Sequence, residues 1–120
     1  MIRTMLKSKI YYATVTEAQL YYKGSITIDE EIIKKSGLLE HEKVEVLNLN
    51  NGSRIETYVI KGKLKSGIIC LNGPAARTGV VGDKLIILSY ALYNDEEIKN
   101  QKPLIVELND GNKIKNNHVA

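Results

Sequence analysis

The amino-acid sequence predicts a mainly β fold, a single small domain whose strands close or nearly close into a barrel, with a few short helices. Short apolar runs of strand length recur along the chain with turn signals between them. Phe and Trp are absent from a chain that is 43% hydrophobic, so Ile, Val and Leu must fill the interior. Branched side chains pack well on a pleated surface and lose rotamer freedom in a helix, which favours strands. A length of 120 residues suffices for one real core but not for two, and no repeat, low-complexity tract or linker divides the chain. A barrel is the economical way to hide the edges of so many short strands.

The elements follow in chain order. Thr16-Glu17-Ala18-Gln19 has the Thr-x-x-Gln spacing of a capping box and predicts a short helical turn. A strand-like run starts at Ser25, just after Gly24. Residues 29–36 predict a helix: Asp29 can cap it, Glu30 and Glu31 suit its positive end, Lys34 and Lys35 its negative end, and Gly37 can take the left-handed exit. Strands are expected over 44–49, 55–60, 68–71, 85–93 and 104–108. Asn50-Asn51-Gly52-Ser53 joins the first two of these, its Asn-Gly pair supplying the positive φ angles of a tight hairpin, and Asp110-Gly111 is a second such turn. The tail, about residues 110–120, is polar and expected to be loosely ordered.

Charge and composition narrow the function classes. The 17 basic and 14 acidic residues are scattered, so the net charge of +3 forms no cationic stripe and nucleic acid is not the leading partner. Cys70, the one cysteine, sits in an apolar run as a buried structural thiol and allows no intrachain disulfide. His41 and His118 lack the spacing partners of a metal site or a catalytic triad, so no metal is expected, and no phosphate-loop or dinucleotide fingerprint is present. The opening Met1-Ile2-Arg3-Thr4-Met5-Leu6-Lys7 lacks a signal-peptide hydrophobic region, and no apolar run approaches bilayer-spanning length. A soluble cytoplasmic protein without membrane partners is the expectation.

An enzyme of this composition must find its electrophile in an unusual place, and Gly24-Ser25 offers one. A serine hydroxyl held against the preceding carbonyl can attack it, converting the peptide bond to an ester; β-elimination and hydrolysis then leave a pyruvoyl group on the new N-terminus. Glycine tolerates the unusual backbone geometry such an attack needs. The same dipeptide is also a common turn pair. In Arg54-Ile55-Glu56-Thr57-Tyr58-Val59-Ile60, strand alternation places Arg54, Glu56 and Tyr58 on one face, where an arginine fork and a phenol can address one pocket, or simply form a solvated strand face. Asn72-Gly73-Pro74-Ala75-Ala76-Arg77 follows a buried-looking strand with small residues whose backbone can cradle a small anion, or make a plain strand-to-helix turn.

Together these segments resemble the aspartate 1-decarboxylases, pyruvoyl-dependent enzymes that make β-alanine for pantothenate synthesis. The match runs nearly from Met1 to Pro103. It rests on the opening Met-Ile-Arg-Thr-Met-Leu with Lys9, and on Tyr22-x-Gly24-Ser25 followed by Ile28-Asp29. Asn51-Gly52 leading to Arg54 and Thr57-Tyr58, Asn72-Gly73 with Ala75-Ala76, and Val81-Gly82-Asp83 before an apolar strand complete it. The resemblance implies a double-psi β-barrel assembled as a homotetramer with active sites between subunits. It also implies a proenzyme cut between Gly24 and Ser25 into chains of residues 1–24 and 25–120, with an accessory maturation factor left open. Ser25 becomes the covalent pyruvoyl cofactor, on which the amine of L-aspartate forms a Schiff base. Tyr58 is then the proton donor and Thr57 a substrate and processing contact. Gly73, Pro74 and Ala75 form a substrate-binding backbone, with Lys9, Arg54, Tyr22 and Asn72 as the polar wall.

Two departures stand out. Many members of that family carry histidine where this chain has Tyr11, and alanine where it has Pro74. Tyrosine cannot be cationic near neutral pH, and proline removes one amide donor from the binding loop. In the implied reaction Arg54 serves best on the carboxylate that stays, because holding the departing one as an anion would stabilise the ground state more than the transition state. A pyruvoyl decarboxylase for another amino acid is the weaker variant. The reading from a different class is a small basic β-barrel that binds nucleic acid or protein without catalysis and keeps its chain whole.

Overall fold

The computed structural model describes residues 1–120. Nine strands and two short α-helices run in the order β1 (Ile2–Thr14), β2 (Glu17–Gln19), β3 (Ser25–Asp29), α1 (Glu30–Ser36), β4 (Lys43–Asn48), β5 (Arg54–Gly62), β6 (Ile69–Asn72), β7 (Lys84–Asn94), α2 (Asp95–Ile98), β8 (Leu104–Leu108) and β9 (Ile114–Val119). The hydrogen-bonded order is β2-β6-β3-β5-β4-β7-β1-β8-β9. The row closes on itself because β2 continues β1. Val15 N donates to Asp83 O beside β7 at 2.9 Å, and Thr16 N donates to Ile69 O of β6 at 2.9 Å.

Six strands thus close a barrel, with β1–β2 as one of its staves. The pairings β2·β6 and β3·β5 are parallel, whereas β1·β7, β4·β5, β4·β7 and β3·β6 are antiparallel. Exchanging β1–β2, β3 and β4 for β5, β6 and β7 leaves that list of pairings unchanged. This duplicated, interlocked closure is the double-psi β-barrel, and the mainly β class stands as expected. Parallel neighbours need a crossover rather than a hairpin, which is why strands distant in sequence meet here. The core is aliphatic throughout, with Ile10, Val15, Ile26, Ile28, Ile32, Val44, Val46, Val59, Ile69, Leu71, Leu85, Ile87 and Val106 all buried. No helix is long and apolar enough to cross a membrane.

Helix α1 forms as its sequence dictates. The Asp29 side chain accepts from Glu31 N at 2.8 Å, and Gly37 leaves the helix at φ +73°. The β4–β5 hairpin also forms, but as a five-residue loop in which only Gly52 takes positive φ (+75°). Asn48 and Asn51 instead accept from the backbone two residues on, at Asn50 N and Ser53 N.

Three expectations are corrected. The Thr16–Gln19 turn is not helical: residues Glu17–Gln19 are strand β2, because the Thr16 hydroxyl donates to Ile69 O at 3.1 Å and accepts from Ile69 N at 3.0 Å rather than capping a helix. The segment from residue 110 is not loose, since Ile114–Val119 pairs antiparallel with β8. Its side chains are mostly exposed, so the main-chain ladder chiefly holds it, aided by Ile114 against the core, the Lys115–Glu107 ion pair, and buried Asn112, which accepts from Thr14 N and donates to Thr14 O and Gly67 O. The third concerns the N-terminus, where the longest strand, β1, went unforeseen. Its first three residues are exposed, the next three half-buried, and polar residues interrupt its apolar ones, so no clean alternation marks it.

Candidate active site

Register decides which side chains meet at Ser25. In the antiparallel pairing of β3 with β6, Ser25 stands opposite Asn72 and Thr27 opposite Cys70. Residues two apart on a strand share a face, so these four side chains form one patch between two strands. Asn72 Nδ2 donates to Ser25 Oγ at 2.8 Å and to Thr27 Oγ1 at 2.9 Å, while Asn72 Oδ1 accepts from Cys70 Sγ at 3.1 Å. Ser25, Cys70 and Asn72 are all buried. Burial pushes the Cys70 thiol above its ordinary pKa, the nearby charge of Glu17 pushes the same way, and a contact with the Gln19 backbone amide opposes them.

Ser25 lies on the wall of a cavity of about 450 Å³. Gly24, Thr57, Tyr58, Asn72, Pro74 and Ala75 line it too, so seven of the residues singled out from the sequence converge on one space. Tyr58 is 38% exposed, enough to address a ligand. Ile55, Glu56 and Thr78 also line the cavity and were not foreseen as site residues. Ile55 enters because the cavity takes in neighbours from both faces of β5, which alternation alone would separate, whereas Glu56 shares the Tyr58 face.

Gly73 opens the 3₁₀ turn Gly73–Arg77 and packs directly on the backbone of residues 22–24. A Cβ there would fall 2.6 Å from Tyr22 O and 2.9 Å from both Gly24 Cα and Gly24 N, and its φ is +65°. Gly24 has no left-handed φ, and a Cβ on it would meet only Pro74 Cδ, at 3.5 Å. The backbone freedom expected of Gly24 is therefore used at Gly73.

Three further residues of the expected polar wall stay outside this cavity within one chain. Arg54 is turned to Glu45 on β4, forming an ion pair beside a separate depression. Lys9 lies on β1 with its ammonium 5.7 Å from the Tyr11 ring centroid. Tyr22 exposes its side chain and reaches the site through its carbonyl at Gly73.

The chain matches known proteins over most of its length. A family model described as aspartate decarboxylase matches residues 1–115. It is 63% identical to an aspartate 1-decarboxylase of Caldicellulosiruptor bescii, over 92% of this chain and 86% of that protein. Its identity to the aspartate 1-decarboxylase of Clostridium beijerinckii is 56%, over 96% of this chain and 93% of that one. To that of Bacillus subtilis it is 55%, over 95% and 90%. A buried Ser25 on the wall of a cavity that Tyr58 also lines, on a chain so similar to these enzymes, leaves one assignment: the protein belongs to the aspartate decarboxylase family.

Proposed function

We propose that the protein converts L-aspartate to β-alanine and carbon dioxide, supplying pantothenate synthesis, after cutting itself between Gly24 and Ser25 into chains of residues 1–24 and 25–120. The observation that supports it best is Ser25 itself, buried on the cavity wall with Oγ held by Asn72 at 2.8 Å and with Thr57 and Tyr58 lining the same space. In the cut, Ser25 Oγ bonds to the Gly24 carbonyl carbon, the carbon–nitrogen bond breaks, and the hydroxyl proton ends on the Ser25 nitrogen. Loss of the Cα proton then expels the Gly24 carboxylate, and one water replaces the nitrogen, which leaves as ammonia.

The residues present fit a pyruvoyl group made in this way: Ser25 heads β3, Gly73 crowds the Tyr22–Gly24 backbone from behind, and the cavity opens beside it. Such a group supplies a ketone that takes up the substrate amine and draws electrons from the bond to the departing carboxylate. Tyr58, which lines the same cavity, returns a proton to the former α-carbon. Thr57, Asn72 and the backbone of Gly73, Pro74 and Ala75 hold the substrate, and Pro74 offers its carbonyl only.

Charge recognition of the retained carboxylate falls to Arg54 and Lys9, which do not line the cavity in a single chain. A homotetramer with active sites between subunits supplies them from a neighbouring copy. Exposed apolar side chains, among them Leu39, Val80, Val81 and Leu92, support such assembly. Mass spectrometry of the purified protein tests the reading, and β-alanine release from L-aspartate completes the test. Two fragments are expected, the larger lighter by one ammonia than a hydrolysis product starting at Ser25. A chain that stays whole after prolonged warm incubation would instead support a binding module.

A further inference from the structure

Asn72 can face Ser25 and Thr27 in either of two amide orientations, because each hydroxyl can give or take a proton. In the orientation found, Nδ2 donates to both, and Ser25 Oγ is an acceptor. Reversed, Asn72 Oδ1 would take the Ser25 hydroxyl proton, and Nδ2 would face sulfur, a weak acceptor. The group on the far side of the amide therefore decides the orientation, and that group is the Cys70 thiol, 3.1 Å from Oδ1. Its alternative acceptor, Leu71 O, is 3.9 Å away. Burial, which disfavours the thiolate, keeps it an S–H donor.

We infer that Cys70 is a positioning residue for self-cleavage: by donating to Asn72 Oδ1 it selects the amide orientation that leaves the Ser25 hydroxyl proton free. This rests on the reading of Gly24-Ser25 as the cleavage site. The acyl shift breaks the Ser25 O–H bond as Oγ joins the Gly24 carbonyl carbon, and the proton passes to the Ser25 nitrogen. A proton tied to an amide oxygen is not available for that transfer. With Nδ2 directed at Oγ, the proton is free and the charge that gathers on the oxygen is stabilised.

The test is the rate at which freshly made chain is cut, followed by mass spectrometry for the unaltered protein, Cys70→Ser and Cys70→Ala. Serine keeps a donor but, unlike the thiol, can also accept from Nδ2, and alanine does neither. The expected result is cleavage slowed about threefold to tenfold in Cys70→Ala, the size of one neutral hydrogen bond, with Cys70→Ser between alanine and the unaltered rate because its hydroxyl satisfies Oδ1 but selects less sharply. A purely packing role predicts the reverse order, since Cys70 lies on a fully buried strand where alanine stays apolar and serine adds a hydroxyl. Alanine matching or outpacing serine would overturn the inference. If the unaltered chain is never cut, the functional reading fails rather than the orientation, which is read separately from the Asn72 side-chain amide by nitrogen-15 NMR. Slow hydrogen exchange there should be retained in part in Cys70→Ser and be lost in Cys70→Ala; equal exchange in both would overturn the inference even in an uncut chain.

Discussion

Removing the Tyr58 hydroxyl separates making the catalytic group from using it. Tyr58→Phe keeps the ring on β5, so cleavage at Gly24 should proceed normally while β-alanine formation falls by about a hundredfold to ten-thousandfold. Fragment masses and turnover on one sample check this, and full turnover would remove Tyr58 from its role. The two glycines make a second contrast. Gly73→Ala forces a left-handed residue to carry a Cβ against Tyr22 O and Gly24 N, at 2.6 and 2.9 Å. It should cost about 1–3 kcal/mol in urea unfolding and displace the junction, slowing the cut. Gly24→Ala meets only Pro74 Cδ, so it should keep near-normal stability. The sequence pointed to glycine at the junction; which glycine is crowded depends on how the 3₁₀ turn lies against residues 22–24, and no local pattern records that.

At the scale of elements, Asp29 ties three pieces of chain together. It ends β3 and caps α1, and its carboxylate also accepts from Lys65 N at 2.9 Å and Gly67 N at 2.8 Å, bracing the connection from β5 to β6. Asp29→Ala should lower stability by about 2–3 kcal/mol, more than a helix cap alone, because the buried Gly67 amide and the part-buried Lys65 amide also lose their acceptor. The urea midpoint reads this directly. The cap was legible in the sequence; the brace was not, since it spans more than thirty residues. Glu42 makes a comparable tie among β1, β7 and the loop after α1. Burial raises its pKa, but hydrogen bonds from Lys7 and Ser89, the Leu39 amide and the Lys7 charge outweigh that and hold it below the ordinary 4.5. A carboxylate depressed in the folded state contributes stability that is full above that ordinary value and is lost as pH falls through the lower folded one. Unfolding curves from pH 5 to 3 should therefore slope more steeply for the unaltered chain than for Glu42→Gln.

The whole molecule explains why a cut chain would hold together. Residues 1–24 contain β1 and β2, a full stave of the barrel, with β7 and β8 paired to β1 and β6 paired to β2. Their Ile10, Ala13 and Val15 are buried in the common core. The 1–24 and 25–120 fragments should co-elute under native conditions and part only in denaturant, and separation in plain buffer would contradict the barrel closure described above. The site should be completed by assembly. Arg54→Lys keeps the charge but loses the bidentate fork, so KM for aspartate should rise more than turnover changes, with cleavage unaffected. An uncut Arg54→Lys chain would place the guanidinium in maturation instead.

The sequence by itself determined what residue type and short spacing can encode. Asp29 and Gly37 bound α1, aliphatic residues alone form the core, Gly52 and Gly111 turn the hairpins, and Gly24-Ser25 with Thr57-Tyr58 carries the resemblance to the family. Tertiary structure alone decided the rest. It paired β3 with β5 and β6, set Ser25 against Asn72 and Thr27 against Cys70, turned Arg54 away to Glu45, and recruited a polar tail as β9. The reason is that register is a long-range choice: it is the sum of many weak cross-strand contacts, and a slip of one residue would send every side chain to the opposite face.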